Sequence, residues 1–138
     1  MQSWKSRCNV PSTTMGAILV IEDDHETRQT LGEWLAILFP DSRVMMSESG
    51  EAGLELARHS RPDVILLDLR LRGIHGFEFA ERLRATVPEP IPIVALTGDM
   101  SPATLMRAEA AGFAAFLRKP ADIDRLETVL RPLLGDGA

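Results

Sequence analysis

Tyrosine is absent from this chain of 138 residues, so nothing it does can rest on a phenolic hydroxyl. There is one cysteine, Cys8, which excludes an internal disulfide and removes any need for an oxidising compartment. No apolar run approaches the length of a membrane span. The segment Met1–Arg7 is basic but has no apolar core, so it is not a secretory signal, and a cytoplasmic protein is expected. Neither G-x-x-x-x-G-K-S/T nor G-x-G-x-x-G occurs, which argues against the two common phosphate-cradling nucleotide loops. Positive charge is in deficit: 15 Lys and Arg stand against 20 Asp and Glu, a net charge of -5. That balance argues against a dedicated nucleic-acid binder.

What is present is ordinary for one globular domain: 45% hydrophobic and 25% charged residues, enough to bury a core. Residues 1–16 are polar, aperiodic and contain Pro11-Ser12-Thr13-Thr14, and they read as a flexible extension; residues 17–138 read as the domain. Trp4 lies in that extension.

The domain is organised around Asp63-Val64-Ile65-Leu66-Leu67-Asp68. Four consecutive apolar residues without polar alternation predict a strand buried on both faces, as in a parallel sheet covered by helices. Asp68 ends the run and so falls at the carboxyl end of a strand, where open α/β sheets place their ligands.

Four further strands are predicted, at Ala17–Ile21, Val44–Met46, Ile91–Leu96 and Phe113–Leu117. Helical spacing separates them. Asp24 is an N-cap before Leu31, Trp34, Leu35 and Leu38, and Pro40-Asp41 closes that helix. Ser49 caps a helix through Ala52, Leu54, Leu56 and Ala57, which Arg61-Pro62 ends. A third carries Phe77, Ala80, Leu83 and Arg84. Ser101-Pro102 starts a fourth and Gly112 stops it. The last carries Ile123, Leu126, Val129 and Leu130, and Pro132 is expected to shorten it. Five strands alternating with five helices predict an α/β fold: a five-stranded parallel sheet, (βα)5, doubly wound. In such a sheet the carboxyl ends share one edge, so Glu22, Asp23, Asp68, Thr97 and Lys119 can converge.

Three carboxylates on one edge repel unless something neutralises them. Hard oxygen ligands suit Mg2+, which keeps several waters and takes one or two carboxylates plus a phosphate. Lys119 supplies a point charge and Thr97 a hydroxyl. A carboxylate can itself be the nucleophile for phosphoryl transfer, and such transfer needs mainly positioning and charge neutralisation.

At this point the chain resembles the receiver domains of two-component response regulators, the CheY-like family with a flavodoxin-like fold. The stretches that carry the resemblance are Ile18-Leu19-Val20-Ile21-Glu22-Asp23-Asp24, Pro62-Asp63-Val64-Ile65-Leu66-Leu67-Asp68, Val94-Ala95-Leu96-Thr97-Gly98 and Arg118-Lys119-Pro120. The resemblance implies that Asp68 accepts a phosphoryl group from a sensor histidine kinase or a histidine phosphotransfer protein. It implies Mg2+ held by Asp23 and Asp68, by Glu22 mostly through water, and by the backbone carbonyl of Arg70. It implies that Thr97 and Lys119 hold the phosphoryl oxygens, that Thr97 and Phe116 form the switch, and that the Lys119-Pro120 bond is cis. A downstream protein target would dock on the face of the fourth helix, fifth strand and fifth helix, where pairing of two copies is also common in the family. Neither nucleic acid nor membrane is expected as a partner. Beyond self-phosphorylation and autodephosphorylation, no enzymatic turnover is expected.

The chain departs from the family in places. Glu22 stands where aspartate is very common, Arg72 where proline is common, and His75 where aspartate is common. Arg70 and Asp99, each two residues beyond a site residue, occupy positions that tune phosphoryl lifetime in the family, and a salt bridge between them is expected across the mouth of the site. Phe116 has no hydroxyl, so a switch there would rest on packing. Only Gly135-Asp136-Gly137-Ala138 follow the last helix, so a single-domain regulator without DNA-binding output is expected, or alternatively a receiver excised from a hybrid histidine kinase. A Mg-dependent aspartate-nucleophile phosphatase is disfavoured, because the general acid expected two residues after the nucleophile is Arg70 here.

Overall fold

A computed structural model describes residues 16–134. The proposed extension at residues 1–16, with Trp4 and Cys8, therefore lies outside the described residues except for Gly16. Five strands and five helices alternate: β1 (Ala17–Ile21), α1 (His25–Leu38), β2 (Arg43–Ser47), α2 (Gly50–Ser60), β3 (Val64–Asp68), α3 (Gly76–Thr86), β4 (Ile93–Thr97), α4 (Pro102–Ala110), β5 (Ala115–Arg118) and α5 (Ile123–Leu133). The strands form one parallel sheet in the order β2-β1-β3-β4-β5. The Asp68 strand is thus the central one, and every residue of it is buried.

The continuous apolar runs are explained by two cores, one on each face of the sheet. Leu19, Ile21, Ile65, Leu67 and Ala95 face Ala57 of α2, Phe79 and Leu83 of α3 and Ala108 of α4. Ile18, Val20, Leu66, Val94 and Leu117 face Leu31 and Leu35 of α1 and Leu126 and Leu130 of α5. Alternate strand residues point to opposite faces, so each run needs apolar side chains at every position.

Helix starts follow the expected caps. Asp24 accepts from Thr27 N at 2.9 Å, and Ser49 accepts from Ala52 N at 3.1 Å. Ser101 caps α4 with Pro102 in the first turn. His75 caps α3, its Nδ1 accepting from Phe77 N at 3.3 Å, so the ring does the local work of the aspartate common at that position.

Three expectations move. The fifth strand begins at Ala115 rather than Phe113, because Gly112 (φ 82°) turns the chain and Phe113 N bonds back to Ala108 O at 3.2 Å, closing the end of α4. The fourth strand begins at Ile93, after Pro92, whose carbonyl still accepts from Ile65 N at 3.0 Å. Pro132 does not stop α5 ahead of itself. It sits in the last turn, where one lost hydrogen bond is outweighed by burial of Leu126, Leu130 and Leu134 against the sheet.

Candidate functional site

The site grows from the parallel register. Ile21 is level with Leu67, Asp68 with Leu96, and Thr97 with Arg118, so Glu22, Asp68, Thr97 and Lys119 leave four neighbouring strands at nearly one height. The structure brings the three acids together: one carboxylate oxygen from each of Glu22, Asp23 and Asp68 lies within 4.8 Å of the others.

Lys119 reaches into this group. Its Nζ stands 3.0 Å from Glu22 Oε1 and 3.2 Å from Asp68 Oδ2. Asp68 Oδ1 accepts from Arg70 N at 3.0 Å, which fixes the carboxylate plane and begins the loop. Glu22 is fully buried; its Oε2 accepts from Asp24 N at 3.1 Å, and its Oε1 faces the Lys119 ammonium at 3.0 Å. A buried carboxylate beside two further acids, all with hard oxygen donors within 4.8 Å of one another, fits a divalent cation and its waters.

Electrostatics follow from this crowding. Burial, aided by the neighbouring Asp68, pushes the Glu22 carboxyl up from 4.5 to about 7, against the pull of the Asp24 N–H and of Lys119. Burial alone would lower Lys119, but the Glu22 and Asp68 carboxylates outweigh it and hold its ammonium above the usual lysine range.

A raised carboxyl pKa means that the folded state holds its proton more tightly than the unfolded chain. In metal-free protein, Glu22 therefore contributes stability that is fully present below about pH 4.5 and is lost as pH rises through about 7. At about 1.4 kcal/mol per unit the change is about 3 kcal/mol. Urea unfolding in EDTA is expected to show lower stability at pH 8 than at pH 5, with the difference shrinking in saturating Mg2+. Stability that climbs across this range in EDTA would contradict the assignment.

Thr97 is buried, and its hydroxyl is engaged locally: it accepts from Asp99 N at 2.9 Å and donates to Asp99 O at 3.1 Å. The expected Arg70–Asp99 salt bridge does not form among the described residues. The Asp99 carboxylate is taken by Thr104 Oγ1 at 2.6 Å and Ser101 N at 2.9 Å, two groups at the start of α4. These bonds lower the Asp99 pKa, to which the Arg70 charge adds a smaller pull. A helix N-terminus beside an acid is a nearer partner than an arginine across an open mouth, and that contact was not legible from spacing. Phe116 is half-buried, level with Ala95, and packs against the core on the α2–α3 face. The Lys119-Pro120 bond is cis, as the resemblance implies.

Two residues join the site unforeseen. Arg28 Nη1 donates to the Glu22 carbonyl at 2.8 Å; no sequence signal marked it, since one arginine in the first turns of a helix is common. Arg72 donates its backbone N–H to Asp23 Oδ2 at 3.2 Å, and its Nε forms an ion pair with the same oxygen at 3.4 Å. Its unusual residue type is visible in the sequence, but nothing in the spacing pairs it with Asp23.

A doubly wound parallel sheet with three acids, a threonine and a lysine at its carboxyl edge is the CheY type of flavodoxin-like fold. Solved structures agree. The signal receiver domain of a DNA-binding response regulator from Colwellia psychrerythraea superposes with a TM-score of 0.80 at 30% identity, covering 87% of this chain and 98% of that one. The chemotaxis response regulator CheY4 of Vibrio cholerae does so with a TM-score of 0.76 at 28% identity, covering 87% and 99%. The family described as "Response regulator receiver domain" matches residues 18–131, and the chain belongs to it. Among curated proteins, the transcriptional regulatory protein AfsQ1 of Streptomyces coelicolor is 36% identical over 123 residues, 89% of this chain and 53% of that protein. The sensor histidine kinase AtsR of Burkholderia thailandensis is 32% identical over 117 residues, 83% of this chain and 19% of that protein. The chain thus spans about half, or less, of these relatives. Receiver domains are signalling phosphoacceptors that work with histidine kinases and downstream targets. No described helix is long and apolar enough to cross a membrane.

Proposed function

We propose that this chain is the phosphoryl-accepting receiver of a two-component phosphorelay, with Asp68 as the acceptor. The observation that carries this reading is the single ammonium of Lys119 set between Glu22 and Asp68 at the end of the central strand. Asp68 is held by one backbone N–H and one cation, and its neighbours supply oxygen ligands for Mg2+. Bound Mg2+ would offset the charge of the acids and of the incoming phosphoryl oxygens.

In the chemistry proposed, an Asp68 carboxylate oxygen attacks phosphorus in line. The P–N bond of a phosphohistidine breaks as the acyl phosphate P–O bond forms, and the imidazole leaves with the electron pair. Lys119 and the Thr97 hydroxyl hold phosphoryl oxygens. Thr97 must first exchange its bonds to Asp99, and Phe116 responds by packing alone. Asp23 and Asp68 would hold the metal directly, with Glu22 acting through water and the Arg70 carbonyl as a further ligand. The donor would approach along the groove of about 530 Å³ between α1 and the chain after β5, which Thr27, Leu31, Trp34 and Pro120 line and which Lys119 joins to the acids. The output contact is assigned to the face of α4, β5 and α5, with the same face available for pairing of copies.

Incubation with Mg2+ and acetyl phosphate tests the reading. Intact mass is expected to rise by one phosphoryl group, and the gain is expected to disappear in EDTA. Absence of any gain, or multiple turnover of a phosphomonoester, would overturn it, the latter in favour of a phosphatase. The chain resembles part of a transcriptional regulatory protein and part of a sensor histidine kinase, so the reading is compatible with a single-domain regulator and with a receiver belonging to a longer kinase chain.

A further inference from the structure

The site divides its cations unevenly. Lys119 serves Glu22 and Asp68, whereas Asp23 is served by Arg72. Arg72 Nε lies 3.4 Å from Asp23 Oδ2, and the Arg72 backbone N lies 3.2 Å from the same oxygen. Among the described residues neither side chain has another ion pair. The pair is lopsided in exposure: the Arg72 side chain is 89% exposed, and that of Asp23 only 19%. The acid is fixed at the site, and the guanidinium is held by little except the acid.

We propose that Arg72 is a tethered counter-cation that occupies Asp23 in the metal-free site and is displaced when a divalent cation binds, so that this side chain sets how tightly the site takes its metal. The proposal rests on the metal-site reading above. Three carboxylates in a small volume need positive charge in either state. Without metal, Lys119 and Arg72 provide two positive charges. A divalent ion provides two by itself at closer range, so Arg72 becomes redundant. Release is cheap, because the side chain is already largely hydrated and the loop keeps its backbone N–H on Asp23. Occupancy by Arg72 therefore lowers metal affinity without blocking the site. It also keeps Asp23 turned inward while it waits.

Exposed ion pairs are worth a factor of about two to five in an equilibrium constant, and the effect on Mg2+ affinity is expected in that range. Mg2+ titrations of the wild type, Arg72→Gln and Arg72→Lys, followed by amide chemical shifts at Glu22, Asp23 and Asp68, read it directly. Arg72→Gln is expected to bind Mg2+ about two- to fivefold more tightly than the wild type, with Arg72→Lys between the two. In the wild type the Arg72 Nε–H signal is expected to move at the same Mg2+ concentration as the Asp23 amide. Equal affinities in all three proteins, or an Arg72 Nε–H signal that stays still while Mg2+ saturates, would overturn the role of Arg72 and leave the receiver reading standing. No saturable Mg2+ binding by any of the three would overturn the receiver reading along with it.

Discussion

Asp68→Asn is expected to accept no phosphoryl group from acetyl phosphate under conditions that fully label the wild type, while its fold and melting temperature stay close to those of the parent. The two halves of this expectation have separate causes. An amide oxygen is not a nucleophile for phosphorus, and loss of a nucleophile costs a factor on the order of 10³ or more in rate. The substitution is isosteric, however, and the Asn Oδ1 can still accept from Arg70 N, a bond of 3.0 Å in the parent. Removing the Asp68 charge also relieves one of the causes that push Glu22 upward, so the Glu22 carboxyl should titrate lower than about 7. Intact mass and a carboxyl titration on the same sample check both. A phosphoryl gain retained in Asp68→Asn would move the acceptor elsewhere. A collapsed melting temperature would mean that the charge, not only the shape, of Asp68 supports the sheet.

The second large effect belongs to Lys119. Lys119→Met keeps an apolar stem of similar reach and removes the ammonium from between Glu22 and Asp68. Loss of one preorganised charge against developing phosphoryl charge typically costs about 10²-fold in rate, and that is the expected drop in labelling rate at saturating Mg2+. Stability should fall as well, because Glu22 is fully buried and its carboxylate would have no other ion pair among the described residues. Breaking a fully buried pair costs about 3–5 kcal/mol. Lys119 is 29% exposed, so a smaller loss, about 1–3 kcal/mol at pH 8, is expected after solvent screening. The sign of the pH dependence distinguishes charge from packing. At pH 5 Glu22 takes up a proton and no longer needs a partner, so most of the loss should vanish. An equal loss at pH 5 and pH 8 would show that the lysine stem matters to the fold and its charge does not.

Much of this was legible in the sequence because two simple patterns agree. Ile18-Leu19-Val20-Ile21 and Val64-Ile65-Leu66-Leu67 have no polar alternation, and only a sheet covered on both faces can use every one of those side chains. Once the sheet is parallel, the acids after Ile21 and within β3 must share an edge with Thr97 and Lys119. What was not legible depended on short-range competition. Asp99 is expected to meet Arg70 across the site, but the local Thr104 hydroxyl takes its carboxylate instead. Phe113 has the apolarity of a strand residue, but its N–H is used to close α4. Pro132 was weighed as a helix breaker without the burial of its neighbours. Arg72 stands out in the sequence only by its residue type, because spacing along the chain does not reveal that residues 23 and 72 meet.

The four-residue strand β5 sits at the edge of the sheet, paired on one side only, and Lys119 follows directly from it. Local opening costs less where few contacts hold an element than in the core strands. The central acids are anchored by strands paired on both sides, whereas their cation is hung from the margin. Fraying of that margin, with loss of the 2.9 Å bond from Lys119 N to Thr97 O, would withdraw the ammonium while the central strands stayed paired. On warming, the protein should go deaf to its donor at temperatures where its backbone is still intact.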